Sequence, residues 1–201
     1  MKAIVVRKIG SFAIEEIDLP ELPTGHVLIR MEVAGLCRTD LKLIRVGHHD
    51  LVMPRVPGEE VVGVICEKGA DAGEMPAGQR VYVYPGTSCG RCRYCKKGAE
   101  NLCEEMEIMG FHRHGGFAEY VIAPAASLIP VPDFLSPDEA VFAEPLSCCL
   151  NALELARLTP GESIGIWGAG PAGTLLQRSA RAIKALPYVI DPDEQRCELI
   201  G

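Results

Sequence analysis

The sequence has neither an excess of positive charge nor a long hydrophobic segment. Its 20 Lys and Arg residues are outnumbered by 27 Asp and Glu residues, which gives a net charge of −7. Nucleic acids and anionic membranes are bound by clustered basic side chains, so this balance argues against both as main partners. No apolar run approaches the length of a membrane span, and residues 1–7 have too short an apolar stretch for a signal peptide. We therefore expect a cytoplasmic protein.

Internal repeats and low-complexity tracts are also absent, and 48% of the 201 residues are hydrophobic. This composition is typical of a globular chain with one large domain or two smaller ones. The first part has the β-branched, alternating pattern of strands between Gly- and Pro-containing turns. The predicted strands cover residues 2–7, 12–18, 27–33, 61–68, 80–84, 117–122 and 128–131.

The pattern changes near residue 136. Ser136-Pro137-Asp138-Glu139 has the form of a capping box with proline at the first helical position, and it predicts a helix that reaches about residue 158. A strand at 163–167, a helix at 171–184 and a strand at 188–190 then form one βαβ unit. A dinucleotide-binding sheet usually has about six strands, so we expect this chain to be a fragment of a longer protein.

Nine cysteines in a cytoplasmic protein favour metal binding or burial over disulfides. Four of them follow the spacing Cys89-x2-Cys92-x2-Cys95-x7-Cys103, and four thiolates can surround zinc tetrahedrally. Such a site has no open position and is structural. An iron–sulfur cluster is the alternative, although the common ferredoxin spacing ends in a gap of three residues followed by proline.

A glycine-rich segment, Gly168-Ala169-Gly170-Pro171-Ala172-Gly173, follows a predicted strand and opens a predicted helix. This context favours dinucleotide binding, with the pyrophosphate at the helix N-terminus. Asp191 ends the next strand, where a carboxylate can bind the ribose hydroxyls and would repel a 2′-phosphate. The segment therefore predicts NAD in preference to NADP. Alternatively, Asp191 is a surface residue in a turn before Pro192 and has no contact with the cofactor.

The two motifs, in this order, resemble the zinc-dependent medium-chain alcohol dehydrogenases, and the resemblance covers the whole chain. Four further segments carry it: Gly35-Leu36-Cys37-Arg38-Thr39-Asp40, residues 57–63, residues 115–120, and Ala143-Glu144-Pro145-Leu146, whose Glu-Pro-Leu form is closest to the threonine and polyol dehydrogenases. The resemblance implies a β-rich GroES-like catalytic domain over residues 1–145 with a zinc lobe at about 86–105. Residues 146–201 would begin a Rossmann domain for NAD, and the full-length protein would form homo-oligomers.

The resemblance also assigns roles to residues of a catalytic zinc site. Cys37 would be the first ligand, and Glu144 would occupy the third ligand position, bound directly or through water. Glu60 could exchange with water on the metal. Thr39 would relay the alcohol proton, while Arg38 would reach the cofactor pyrophosphate. Asp40 could form hydrogen bonds to the ligands without binding the metal itself.

Glu59 is the departure from the family pattern, which has histidine at this position. A carboxylate can bind zinc, but it adds a negative charge and should weaken the metal as a Lewis acid. His48 and His49, in the preceding loop, and Cys148, one helical turn after Glu144, are alternative ligands. Taken singly, Cys37 could instead be a core thiol, and the two glutamates a solvated pair.

Three functions remain open on these residues. The first is zinc-dependent oxidation of a secondary alcohol, polyol or amino alcohol to the ketone by NAD. The second is reduction of carbonyls or enones by a family member without catalytic zinc. The third is a truncated binding or structural remnant without catalysis.

Overall fold

The computed structural model describes residues 1–200, and the chain forms two compact units, Met1–Val141 and Phe142–Gly201. No helix within residues 1–200 is both long enough and apolar enough to cross a membrane.

The first unit is β-rich, as the sequence predicts. Its strands are β1 (Lys2–Lys8), β2 (Ser11–Glu16), β3 (His26–Gly35), β4 (Glu60–Lys68), β5 (Arg80–Val83), β6 (Gly86–Thr87), β7 (Glu107–Ile108), β8 (Tyr120–Pro124) and β9 (Leu128–Pro130). Two helices, α1 (Arg38–Val46) and α2 (Pro137–Ala140), belong to the same unit. Five strands form an antiparallel sheet in the order β8-β3-β4-β5-β9, while β1 pairs with β2 and β6 with β7.

The antiparallel sheet buries side chains on both faces. Val61 and Ile65 of β4 pack into the main core with Ile29 of β3. Val62, the neighbour of Val61, points to the opposite face and packs with Tyr82 in a second cluster that α2 helps to cover. Because successive strand residues alternate between faces, the unbroken apolar run in β4 reflects burial on both sides.

The helix predicted from residue 137 to about 158 is two helices. The first, α2, ends at Ala140, and α3 (Ala143–Leu155) begins three residues later. One continuous helix would place Pro145 in its interior, where proline has no N–H to donate to the carbonyl of Val141. In the first turn of a new helix that N–H is not needed.

The second unit contains the predicted βαβ arrangement. The strands β10 (Ser163–Trp167) and β11 (Leu186–Ile190) are parallel and are joined by α4 (Pro171–Ala182), while α5 (Glu194–Ile200) follows β11. Leu153 of α3 and Ala180 of α4 pack with Ala185 in the core of the unit. Trp167 at the end of β10 is 78% exposed.

Truncation of a core side chain in the first unit should be costly. Ile29→Ala removes a side chain that is 0% exposed, and we expect it to lower the free energy of unfolding by about 2–5 kcal/mol. Ile129→Ala, the same change at a side chain that is 51% exposed, should alter it by less than about 0.5 kcal/mol. Urea unfolding followed by circular dichroism measures both, and equal effects would show that this core assignment is wrong.

Candidate functional site

The four cysteines of the predicted zinc lobe come together. Their sulfur atoms all lie within 4.8 Å of one another, and Cys92 Sγ is 3.5 Å from Cys95 Sγ. Sulfurs bound to one tetrahedral zinc lie roughly 3.8 Å apart, so a small contraction or expansion of the cluster suffices. Gly90 and Gly98 adopt positive φ angles of 69° and 72°, which bend the loop around the sulfurs.

Backbone N–H groups point at these sulfurs and favour the thiolate form of Cys89 and Cys92, whose pKa values they lower. The N–H of Cys89 donates to Cys103 Sγ at 3.2 Å. Hydrogen bonds from the N–H groups of Cys95 and Glu104 lower the pKa of Cys92 to about 6, whereas burial and then the Cys92 side chain raise the pKa of Cys95 to about 11. A coordinating zinc ion deprotonates its thiol ligands, and the four converging sulfurs can hold one such ion in a closed site.

Ion pairs account for part of the basic charge around this lobe. Arg91 Nη2 lies 2.5 Å from a Glu105 carboxylate oxygen, and Arg93 Nε lies 2.9 Å from Glu104. Both pairs are exposed and contribute little to stability individually. The two glutamates directly follow Cys103, so the pairs join the two ends of the cysteine segment.

Cys37 sits at the N-terminus of α1, where the chain leaves β3. Its half-buried sulfur accepts a hydrogen bond from the N–H of Thr39 at 3.4 Å, as the helix N-cap. Burial raises the pKa of this thiol, hydrogen bonds from Thr39 lower it, and the charges of Glu59 and Glu60 raise it further. The structure thus brings these two carboxylates close enough to act on Cys37.

Asp40 connects the two segments that carry these residues. The carboxylate of Asp40, only 1% exposed, accepts the N–H of Cys37 at 2.9 Å through Oδ2 and the N–H of Gly58 at 2.9 Å through Oδ1. Burial raises its pKa, and the two backbone hydrogen bonds oppose that shift. Asp40 therefore holds Cys37 beside the residue that precedes Glu59.

The glycines at 115 and 116 allow a third segment to pack against this connection. The N–H of Gly116 donates to Gly58 O at 2.9 Å, and a Cβ on Gly115 would overlap the carbonyls of Pro57 and Gly58. Between β3 and β4, Glu60 pairs with Gly35, and a Cβ on Gly35 would overlap the Glu60 side chain. Sequence reasoning identified Gly115 and Gly116 only as part of a motif; their function in the structure is close backbone packing.

The donor atoms around Cys37 do not form a compact set. Within residues 1–200, the groups of three or more Cys, His, Asp and Glu side chains whose ligand atoms lie within 4.8 Å of one another are the four cysteines and His48-His49-Asp50. A metal at Cys37 would therefore require its carboxylate neighbours to move. One thiolate and two carboxylates suit zinc in donor type, but their total charge of −3 exceeds that of a site with a neutral imidazole.

Two further residues of the predicted set are Arg38 and Glu144. Arg38 is exposed at the first position of α1. Glu144 is in the first turn of α3 in the second unit, where Cys148 Sγ lies 3.5 Å from its Oε1. The assignments of Glu144 as a zinc ligand and of Arg38 as a phosphate contact stay predictions.

The glycine loop of the second unit has the geometry that its motif predicts. Gly168 has a positive φ of 111°, and a Cβ on Gly173 would overlap the carbonyl of Gly168. A Cβ on Gly170, in contrast, would meet nothing within 4 Å. Gly170 is the N-cap of α4 and has no side chain to cap the first N–H groups of the helix. These three features suit a pyrophosphate, which needs close backbone approach and free N–H groups.

Asp191 follows β11 and is bonded to this loop. Its Oδ2 accepts the N–H of Ala169 at 2.8 Å, and its Oδ1 accepts the N–H of Asp193 at 2.9 Å. These hydrogen bonds lower the pKa of the carboxyl group. A carboxylate offers about four acceptor positions, so two remain for ribose hydroxyls. Asp191 therefore fixes the loop in addition to the predicted ribose contact.

Removal of one cysteine of the lobe should release one zinc ion per chain. We expect Cys103→Ser to lose one equivalent, because three thiolates and a hydroxyl bind zinc more weakly than four thiolates. Cys66→Ser, at an exposed cysteine on β4, should retain it. Metal analysis after purification without chelators measures the difference, and an equal zinc content in the two variants would refute the site.

The charge of Glu59 should influence the reactivity of Cys37. Glu59→Gln removes a negative charge that raises the pKa of the thiol, so the pH midpoint for alkylation of Cys37 should move to lower pH. Mass spectrometry of metal-depleted protein treated with iodoacetamide follows this cysteine alone. Glu67→Gln, at an exposed position on β4, is the control, and an unchanged midpoint in Glu59→Gln would contradict the placement.

Comparison with known proteins agrees with these features. Residues 23–133 match the alcohol dehydrogenase GroES-like domain. An uncharacterised zinc-type alcohol dehydrogenase-like protein of Haemophilus influenzae is 36% identical over 98% of this chain, and sorbitol dehydrogenase of Bacillus subtilis is 33% identical over 94%. The chain spans 58% and 55% of the lengths of these two relatives.

Two solved structures share the fold over nearly the whole chain. An alcohol dehydrogenase of Escherichia coli CFT073 in complex with NADH has a TM-score of 0.92 and 30% identity, and covers 100% of this chain. A zinc-binding dehydrogenase of Sinorhizobium meliloti 1021 bound to NADP has a TM-score of 0.91 and 32% identity over 99%. This chain covers 59% and 58% of them. The chain therefore belongs to the zinc-type alcohol dehydrogenase family, whose GroES-like domain it carries.

Proposed function

We propose that this chain is the N-terminal part of an NAD-linked dehydrogenase that oxidises a secondary alcohol, polyol or amino alcohol to the ketone. The observation that carries the proposal is the glycine loop, with the open space at Gly170 and the carboxylate of Asp191 beside it. Relatives that act on polyols, such as sorbitol dehydrogenase, support the substrate class.

Oxidation of an alcohol removes a hydride from the alcohol carbon and a proton from its hydroxyl group. The nicotinamide of bound NAD accepts the hydride that leaves the alcohol carbon. The hydroxyl proton must leave as well, and Thr39 is the proposed relay toward solvent, since its hydroxyl is adjacent to Cys37. Zinc held at Cys37 and Glu59, with Glu60 able to exchange with water on the metal, would supply Lewis acidity and make the hydroxyl easier to deprotonate.

Glu59 favours one alternative, a carbonyl or enone reductase of the same family that works without catalytic zinc. Its extra negative charge weakens any metal at Cys37 as a Lewis acid, and the donor atoms there are not compact. A metal count separates the two functions. The alcohol dehydrogenase should retain a second zinc ion that Cys37→Ser removes, whereas the reductase should retain only the zinc of the four-cysteine lobe.

Trp167 offers a direct measurement of cofactor binding. It is the only tryptophan of the chain and immediately precedes Gly168. We expect NADH to quench its emission and to gain fluorescence by energy transfer. Gly170→Ala should weaken NADH binding by at least about tenfold, or ~1.4 kcal/mol, because the new Cβ occupies the space for the pyrophosphate. NADPH should bind more weakly than NADH, because Asp191 repels the 2′-phosphate.

Two controls make this titration decisive. The unfolding midpoint of Gly170→Ala should equal that of the wild type, since its Cβ contacts nothing in the protein. Asp191→Asn should reduce the preference for NADH over NADPH. Tight NADPH binding by the wild type would contradict the choice of NAD, and cofactor binding without NADH formation on any alcohol of a polyol panel would contradict alcohol oxidation.

A further inference from the structure

Three consecutive side chains after α1 form a second compact group of metal-binding atoms. The ligand atoms of His48, His49 and Asp50 all lie within 4.8 Å of one another. The two carboxylate oxygens are divided between the two rings. Oδ2 of Asp50 is 3.5 Å from His48 Nδ1, and Oδ1 is 3.3 Å from His49 Nε2.

These distances match the edges of a metal coordination shell. Nitrogen and oxygen ligands about 2.0–2.1 Å from a tetrahedral zinc lie roughly 3.3–3.4 Å from each other. The separations of 3.5 and 3.3 Å between Asp50 and the two histidines are of this size. They involve different oxygens of Asp50, so a shared ion would be bound by both carboxylate oxygens or would require a rotation of this side chain.

The His48 ring is held in place by its neighbours. Its Nδ1 accepts the backbone N–H of Asp50 at 3.3 Å, a long hydrogen bond that a metal ion at this nitrogen would replace. The same ring packs edge-on against the ring of Phe111, with centroids 5.4 Å apart, and is tilted over His49 at 4.2 Å. Phe111 is largely buried, so its ring restricts the positions that the His48 ring can adopt.

The surroundings of the group also suit a cation. His48 follows Gly47, which caps the C-terminus of α1, and the partial negative charge of a helix C-terminus favours positive ions. Basic side chains on either side oppose this effect. Arg45 lies in the last turn of α1, and Arg55 donates to Val52 O in the same loop.

We propose that His48, His49 and Asp50 form a divalent metal site distinct from the four-cysteine lobe and from the Cys37 set. Two imidazoles and one carboxylate favour Zn²⁺, Ni²⁺, Cu²⁺ or Co²⁺ over Mg²⁺ and Ca²⁺, which prefer oxygen. Three protein ligands on an exposed loop leave further positions to water. The site therefore binds metal reversibly at the start of the loop that leads from α1 to Glu59.

Calorimetric titration of the whole chain with Ni²⁺, after its lobe has been loaded with zinc, tests the site. We expect His49→Ala and Asp50→Asn each to weaken Ni²⁺ binding by roughly tenfold or more, since even indirect partners of metal ligands contribute this much. Mg²⁺ should produce no binding heat. His26→Ala is the matched control, because His26 belongs to the same unit and contacts Thr24 O instead.

The outcomes separate this site from the others. Loss of Ni²⁺ affinity in His49→Ala and Asp50→Asn, with His26→Ala and Cys37→Ser unchanged, supports the proposal. Equal affinity in the wild type and His49→Ala overturns it, as does an equal loss in His26→Ala, which indicates nonspecific binding to histidine. Loss in Cys37→Ser but not in His49→Ala would assign the ion to the Cys37 set and would also overturn it.

Discussion

The buried carboxylate of Asp40 is the interaction on which the candidate site of the first unit depends. It binds the N–H of Cys37 at one oxygen and the N–H of Gly58 at the other. Leaving a buried carboxylate without these partners would cost several kcal/mol, so the two segments have a strong reason to stay together. The sheet completes the arrangement, because β3 ends two residues before Cys37 and β4 begins at Glu60.

The two sets of cysteine-based ligands respond differently to sequence change. The four cysteines lie in one short segment, and the backbone N–H groups of that segment already point at the sulfurs. The neighbourhood of Cys37 is assembled from distant segments, so its properties depend on which side chain each segment supplies. Glu59 adds charge there without disturbing the backbone that Asp40 holds.

The features that depend on residues close together in the sequence can be predicted from the sequence. The cysteine lobe and the glycine loop each lie within about twenty residues. The structure brings the four sulfurs together and packs Gly173 on the carbonyl of Gly168. The split between α2 and α3 was missed, although Pro145 gave a reason for it. The double hydrogen bonding of Asp40 and the tight packing of Gly115 on Pro57 could not be predicted, because they depend on segments far apart in sequence meeting at atomic distances.

Amide hydrogen exchange at Cys37 and Gly58 tests the central claim most directly, because these are the two N–H groups that Asp40 binds. NMR of the wild type and of Asp40→Ala would follow both amides, with Ile65 in the core of the sheet as a reference. The account predicts that Cys37 and Gly58 are protected in the wild type and lose protection together in the variant, while Ile65 stays protected. Unchanged exchange at both amides would contradict it.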